Sequence, residues 1–166
     1  WVTALVCRFQ PADFVALQID TGMMIILRLI TSFFGVYGFS LMFNSPRKMA
    51  MTAGLIGMFA NTLRLELIDL AHFPVGIAAF IGAFFTGCVA SIVKKKIGYP
   101  RISLTVPAIV IMVPGLYMYR GIYYIGLNEI GDGSLWLTKA ILIVMALPMG
   151  LVAARLCTDK NFRHCT

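Results

Sequence analysis

Two prolines lie seven residues apart within one apolar stretch, "TVPAIVIMVPGLYMYRG", residues 105–121. Proline cannot donate a backbone hydrogen bond, so Pro107 and Pro114 in a helix would free the carbonyls of Ser103 and Val110. In a membrane, freed carbonyls need partners or line a polar cavity. Transport proteins use such discontinuous helices to present backbone groups to a substrate. The pair therefore indicates either a substrate path or a kink that improves packing.

Four basic residues lie inside four different apolar segments: Arg28, Arg64, Arg120 and Lys139. Each is five to eight residues from an acid or amide near the segment's end, which at about 1.5 Å per residue puts all four roughly 7–12 Å inward. Intramembrane charges usually face the bundle interior or water, and arginine binds carboxylates through a bidentate fork. For Arg64 and Arg120 we favour a role in holding an anionic group. For Arg28 and Lys139 we favour pairing with loop acids or reaching the headgroups.

The composition indicates a membrane protein. The 166 residues are 60% hydrophobic and 13% charged, and the mean hydropathy is +0.87, whereas soluble domains are nearer half apolar and a quarter charged. Five apolar segments are each close to the roughly 20 residues that span a bilayer as a helix; they cover residues 21–43, 49–68, 73–93, 102–125 and 134–157. The sequence predicts an all-α membrane protein, a bundle of about five transmembrane helices with the fourth broken by Pro107 and Pro114-Gly115.

The charges of the connecting segments predict an orientation. Lysine and arginine cluster in the first and third connections and near the C-terminus, whereas six of the seven acids fall on the opposite side. By the positive-inside rule the basic side is cytoplasmic. The expected organisation is an N-terminal extracytoplasmic segment (1–20), a five-helix transmembrane domain (21–157) and a cytoplasmic tail (158–166). The net charge of +7 is spread along the membrane edges and does not indicate nucleic-acid binding.

Small residues recur every four positions in three segments: Ala50 and Gly54; Ala79, Ala83 and Gly87; and Ala146, Gly150 and Ala154. Such ridges let membrane helices approach closely. They predict close packing within the chain or against a second subunit.

Groups suited to catalysis or metal binding are scarce within the spans. No Asp, Glu or His lies in the middle of a span, and Asn61 is the only amide well inside one. The four cysteines lack the spacing of a metal site, and no serine has a histidine placed as a base. We therefore predict no enzyme activity, no metal and no cofactor, and a membrane-embedded enzyme remains the weakest hypothesis.

Two longer stretches resemble a known family: "GFSLMFNSPRKMAMTAGLIGMFANTLRLELI" and "IGYPRISLTVPAIVIMVPGLYMYRG", which lie between residues 38 and 125. They are similar to the threonine/serine exporter family, most closely its short membrane unit. That unit occurs as the C-terminal half of a fused exporter or as a small subunit, as in the two-component succinate exporter of enteric bacteria. The motifs are Phe43-Asn44-x-Pro46, Gly57 with Arg64, Pro100, Pro107, Pro114-Gly115 and Tyr119.

The resemblance implies a multi-pass protein of the bacterial cytoplasmic (inner) membrane that exports small polar metabolites, driven by the proton gradient. The substrates would be threonine and serine or small dicarboxylates such as succinate. A larger membrane subunit of the same family is the implied partner, besides the lipid bilayer. The candidate substrate-binding residues are Arg64, Arg120, Asn61, Pro107, Pro114, Gly115 and Tyr119, with Arg28 and Lys139 in an outer cationic layer. The alternative is a structural or assembly subunit that does not itself transport.

Overall fold

The computed structural model describes residues 20–159, which form six helices and no strand. In chain order these are α1 (Thr21–Met42), α2 (Arg47–Asp69), α3 (Val75–Ile97), α4 (Arg101–Val110), α5 (Gly115–Gly126) and α6 (Ile130–Thr158). The prediction of a helical membrane bundle is confirmed. The expected extracytoplasmic segment, apart from its last residue, and all but the first two residues of the expected tail lie outside the described residues.

Four helical stretches are long and apolar enough to cross a membrane: α1, α3, the α4–α5 pair and α6. Helix α2 is as long as α3, with 23 residues or about 35 Å, but it is less apolar. It also has more buried residues than any other described helix, and it packs against α1, α3 and α4. Because protein surrounds much of α2, it can carry polar side chains that lipid would disfavour. It forms the fifth long segment of the bundle.

Helices α3 and α6 form a close-packed pair. An added Cβ at Gly150 of α6 would lie 2.5 Å from the backbone oxygen of Phe80 in α3. One at Gly87 of α3 would lie 2.6 Å from the Cβ of Ala154. The predicted small-residue ridges of these two helices therefore contact each other within the chain.

Turn residues set the ends of two helices. Helix α3 continues through its three lysines to Ile97, where Gly98 adopts a left-handed conformation with φ 83°, a common helix terminator. The lysines also complement the negative end of the helix dipole. At the other basic connection, Asn44 has φ 57°, which asparagine tolerates better than most residues, and Pro46 immediately precedes α2. This turn accounts for the Phe43-Asn44-x-Pro46 pattern.

Helix α6 begins earlier than predicted. Residues 130–133, expected in the outer loop, form its first turn, and so the predicted start at residue 134 was wrong. Asp132 lies in that first turn, where the positive end of the helix dipole favours a carboxylate.

The fourth segment is broken as predicted, but at one proline only. Helix α4 ends at Val110 and α5 starts at Gly115, whereas Pro107 lies inside α4. The expectation that Pro107 also interrupts the helix was wrong: it is fully buried, and packing by neighbouring helices compensates for one lost hydrogen bond. At Pro114 the missing donor coincides with a tightened turn, in which the amide of Val113 donates to the carbonyl of Val110 at 3.2 Å.

Polar contacts define the two ends of the bundle. At one end, the Ser91 hydroxyl of α3 lies 2.9 Å from the Thr158 hydroxyl of α6, close to the start of α4. At the other end, Arg28 of α1 donates to Glu66 of α2 at 2.7 Å. Consecutive long segments therefore run antiparallel, in the predicted order. The lysine and arginine clusters of the connections lie at the first of these two ends, called here the basic end.

Candidate functional site

Arg64 of α2 reaches the interruption between α4 and α5. Its Nη1 donates a hydrogen bond of 2.5 Å to the backbone carbonyl of Met112. Arg64 is 9% exposed and Met112 is fully buried. In a continuous helix this carbonyl would accept the amide four residues later, but α5 begins only at Gly115. The guanidinium therefore donates to a buried carbonyl that the helix break leaves without a backbone donor. Two separate features of the sequence, the helix break and the buried arginine, form one site.

The positive charge of Arg64 has no counter-ion among residues 20–159, where no carboxylate lies within 4 Å of its guanidinium. A guanidinium carries five N–H donors. Its Nε is enclosed and has no hydrogen-bond partner in the described part of the chain. A buried charge without a partner is unfavourable by several kcal/mol. The site is therefore suited to receive a carboxylate.

Polar groups on α2 extend the site by one turn. Asn61 precedes Arg64 by three residues, so the two lie on one face of the helix. The Asn61 Nδ2 donates to the hydroxyl of Ser32 in α1 at 2.9 Å. Its Oδ1 has no partner within residues 20–159, and neither has the buried Thr62 hydroxyl. The Asn61 Oδ1 is therefore available as an acceptor on the same face as Arg64, whereas Thr62, two residues from Arg64, lies on a different face. Sequence analysis predicted Asn61 but missed Ser32, because single hydroxyl residues are common in membrane helices.

Gly82 of α3 forms a further wall of the site. An added Cβ there would lie 3.3 Å from the Ala60 carbonyl, 3.3 Å from the Arg64 Cβ and 3.5 Å from the Met112 sulfur. A larger side chain would push the arginine away from the break. No signal in the sequence separates Gly82 from the glycines that only serve packing.

The start of α5 lies at the same break. The amino end of a helix carries partial positive charge, and half-helices in transporters point this end at anionic groups. Pro114 is buried at this position. Gly115 is exposed, has open space around its Cα and does not adopt positive φ. Pro114 therefore defines the break, and Gly115 is not required by backbone conformation.

Arg120 and Lys139 contact a different group. The Arg120 guanidinium lies 4.8 Å from the ring centre of Trp136, and the Lys139 Nζ lies 5.0 Å from it. Tyr117 connects this cluster to the break, because its ring lies 5.5 Å from that of Trp136 and packs on the core cluster that contains Met112. The structure thus brings Arg120 and Lys139 together, separately from the Arg64–Met112 contact. Trp136 organises this cation–π cluster.

The two other predicted site residues lie away from the break. Arg28 forms ion pairs with Glu66 and Asp69 of α2, so its charge is compensated, as the pairing alternative predicted. Tyr119 is 42% exposed and stacks on Tyr123 with ring centres 6.3 Å apart. It lies on the outer surface of α5.

Comparison with known proteins identifies the family. The sequence profile of the family described as "Threonine/Serine exporter, ThrE" matches residues 28–157, which include every residue of the site. A relative from Mycobacterium tuberculosis, named "Probable threonine/serine exporter", is 28% identical over 109 residues, or 65% of this chain. The match covers only 20% of that relative's length. No solved structure matches the chain. Because the family profile covers most of the sequence, the chain belongs to the threonine/serine exporter family.

Proposed function

We propose that this chain is part of a proton-driven exporter of small polar metabolites, and that Arg64 binds the substrate carboxylate at the helix break. Membership of the exporter family supports a role in membrane export. One observation supports the binding role: the buried Arg64 guanidinium donates to a buried carbonyl that the helix break leaves without a backbone partner, and it has no counter-ion among residues 20–159. A carboxylate that approaches this guanidinium supplies the missing charge through the fork geometry of arginine.

The other groups at the site favour an amino acid. The Asn61 Oδ1 is a buried acceptor without a partner among residues 20–159, and an ammonium group is a donor only. One cation with an acceptor on the same helix face suits a zwitterion such as threonine or serine. A dicarboxylate such as succinate would need a second cation, and the structure places Arg120 and Lys139 on Trp136 instead.

In this proposal, the cluster of Arg120, Lys139 and Trp136 is a second, more exposed binding site for the substrate. Lys139 is exposed and Arg120 is half-buried, so both remain better hydrated than Arg64. Because water and salt screen exposed charges, these two cations would bind a carboxylate weakly and could attract the substrate and then release it. Tyr117 lies between the two proposed binding sites. The substrate would pass from the break to this cluster along α5, whose outer surface carries Tyr119.

Proton coupling requires a further part in this proposal. No Asp, Glu or His is fully buried among residues 20–159, whereas proton-driven transporters use such groups within the membrane. A second, larger membrane subunit or domain of the same family would supply one. The match to only 20% of the mycobacterial relative supports a two-part arrangement. The complete exporter would reside in the bacterial inner membrane, with the basic end in the cytoplasm.

Transport in proteoliposomes tests the proposal. The complete exporter and the isolated chain are each reconstituted with an imposed pH gradient, and the movement of labelled threonine, serine and succinate is measured with and without an uncoupler. We expect uncoupler-sensitive transport of the amino acids by the complete exporter only.

Three outcomes would contradict parts of the proposal. Robust transport by the isolated chain refutes the two-part arrangement. Preference for succinate refutes the zwitterion argument. Normal transport when Arg64 variants are present, combined with reduced recovery of the partner, supports the alternative of an assembly subunit.

A further inference from the structure

A cleft lies at the basic end between the start of α4 and the end of α6. Its volume is about 180 Å3. It is lined by Arg101, Ile102, Thr105, Leu151, Val152 and Arg155. Ile102 is 73% exposed and Val152 50% exposed, so the cleft opens on the outer surface of the bundle, which in a membrane protein faces lipid. It is separate from the site at Arg64, which lies beyond the other end of α4.

Beside this cleft, the guanidinium groups of Arg101 and Arg155 both lie near the carboxylate of Asp159. The Asp159 Oδ2 lies 3.7 Å from the Arg101 Nη1 and 3.9 Å from the Arg155 Nε. Hydrogen bonds between such ions are about 2.7–2.9 Å long, so Asp159 pairs with both arginines without a hydrogen bond of normal length to these nitrogens. Both terminal nitrogens of Arg101 are enclosed and have no hydrogen-bond partner among residues 20–159.

The position of Arg101 is fixed by its neighbours. An added Cβ at Gly87 of α3 would lie 3.1 Å from the Arg101 Nη2, so the guanidinium packs directly on the α3 backbone. Its side chain is 12% exposed, and that of Arg155 is 53% exposed. Arg101 is thus the enclosed cation of the pair and Arg155 the exposed one. The position of the Asp159 carboxylate beside both indicates where an anion would bind.

We propose that this cleft binds the phosphate of an anionic membrane lipid in competition with Asp159. The phosphate would be held by Arg101 and Arg155, and an acyl chain would lie against Ile102 and Val152. Basic pockets between transmembrane helices at the headgroup level recognise anionic lipids in this way. A free metabolite carboxylate is the other source of an oxyanion. The lipid is favoured because the cleft walls between the arginines are apolar and open sideways, toward acyl chains.

Native mass spectrometry of the full-length protein tests the proposal. The purified protein in detergent is titrated with phosphatidylglycerol, and with phosphatidylcholine as the zwitterionic control. We expect selective retention of phosphatidylglycerol, and about tenfold weaker retention in the Arg101→Gln/Arg155→Gln variant, which loses two charge-assisted contacts. The matched control is Lys94→Gln/Lys96→Gln. It removes two charges from the same end, but at exposed positions outside the cleft, and retention should be unchanged.

Asp159→Asn makes the proposal testable even if the double arginine variant fails to fold. Removal of the competing carboxylate should strengthen retention of phosphatidylglycerol several-fold, whereas a purely structural role for Asp159 predicts no gain. Unchanged retention in both cleft variants overturns the proposal. Equal losses in the arginine and lysine variants would show diffuse charge attraction and also overturn it. Displacement of bound lipid by millimolar succinate or serine would assign the cleft to a metabolite instead.

Discussion

Replacement of Arg64 by methionine separates a binding role from a structural one. The change removes the guanidinium but keeps an unbranched apolar side chain in a site that is 9% exposed. We expect the protein to insert and fold, and export to be lost. The reason is that the substrate carboxylate would then enter a buried site without a positive charge.

The expected effect on stability is small because two contributions oppose each other. Loss of the 2.5 Å bond leaves the Met112 carbonyl buried and unpaired, at a cost of about 1–3 kcal/mol. Removal of a buried charge without a described counter-ion is favourable by a similar amount, since apolar replacement of buried charges is often neutral or stabilising by about 1–4 kcal/mol. The net change in the free energy of unfolding should therefore be within about 1–2 kcal/mol of zero.

The expected effect on binding is larger. One charge-assisted hydrogen bond contributes about 1.5–3 kcal/mol, which corresponds to about 10- to 150-fold in affinity. The milder variant Arg64→Lys keeps the charge but loses the fork, so the apparent substrate affinity should fall within that range. Substrate affinity is measured by uptake into inverted vesicles at several concentrations, and stability by thermal unfolding of the purified protein.

Arg28→Gln is the matched control. Arg28 is also an arginine inside a membrane helix, but it is paired with Glu66 and Asp69. Its loss should reduce stability, because the part-buried Glu66 and the exposed Asp69 lose their partner, and should leave substrate affinity nearly unchanged. Three results would refute the reasoning: normal export by Arg64→Met, a stability loss in that variant larger than in Arg28→Gln, or a weaker effect on affinity for Arg64→Lys than for the control.

Three further predictions follow from particular positions. Pro114→Ala should restore a donor for the preceding turn and abolish export while the protein still inserts; near-normal export would mean that the break is only a packing kink. Gly115→Ala, its control, should export normally because open space surrounds that residue. Single cysteines in place of Lys95 and Asp132, in a cysteine-free background, should be labelled from outside only at 132, and the reverse would overturn the orientation. Gly150→Val should strongly destabilise the bundle in thermal unfolding, since its Cβ would lie 2.5 Å from an α3 carbonyl; wild-type stability would show that α3 and α6 can separate at low cost.

The helical architecture was accessible from the sequence because hydropathy and length determine which segments can enter lipid. Predicted and observed helix ends differ by up to four residues. The difference is four residues at the end of α3, which continues through its lysines, and at the start of α6, where Asp132 resembled a loop residue but lies in a helical first turn. A hydropathy profile does not indicate that a carboxylate such as Asp132 can stabilise the amino end of a helix.

The site was predicted in parts rather than as a whole. Residue type and spacing indicated both the arginine in α2, because a charge inside a membrane helix is rare, and the proline break, because two prolines and a glycine fall in one segment. Their contact, between Arg64 and the Met112 carbonyl, depends on how α2 packs against α4, which no local pattern encodes. For the same reason Ser32 and Gly82 were missed, and Arg120 was predicted beside Arg64 but lies on Trp136.

The polar character of α2 has a consequence for how the chain enters the membrane. An arginine at the centre of a membrane helix opposes insertion by about 2.5–3.5 kcal/mol. Arg64 lies five residues before the end of α2 and opposes it less, but α2 also carries Glu66 and Asp69. Helix α1 offers partners for these groups, because Arg28 pairs with both acids and Ser32 accepts from Asn61. We therefore expect the first two helices to integrate as a hairpin, with α2 remaining at the translocon until α1 is beside it. The order of synthesis would then be part of the folding mechanism: α1 enters first and supplies the polar contacts that retain the helix carrying Arg64.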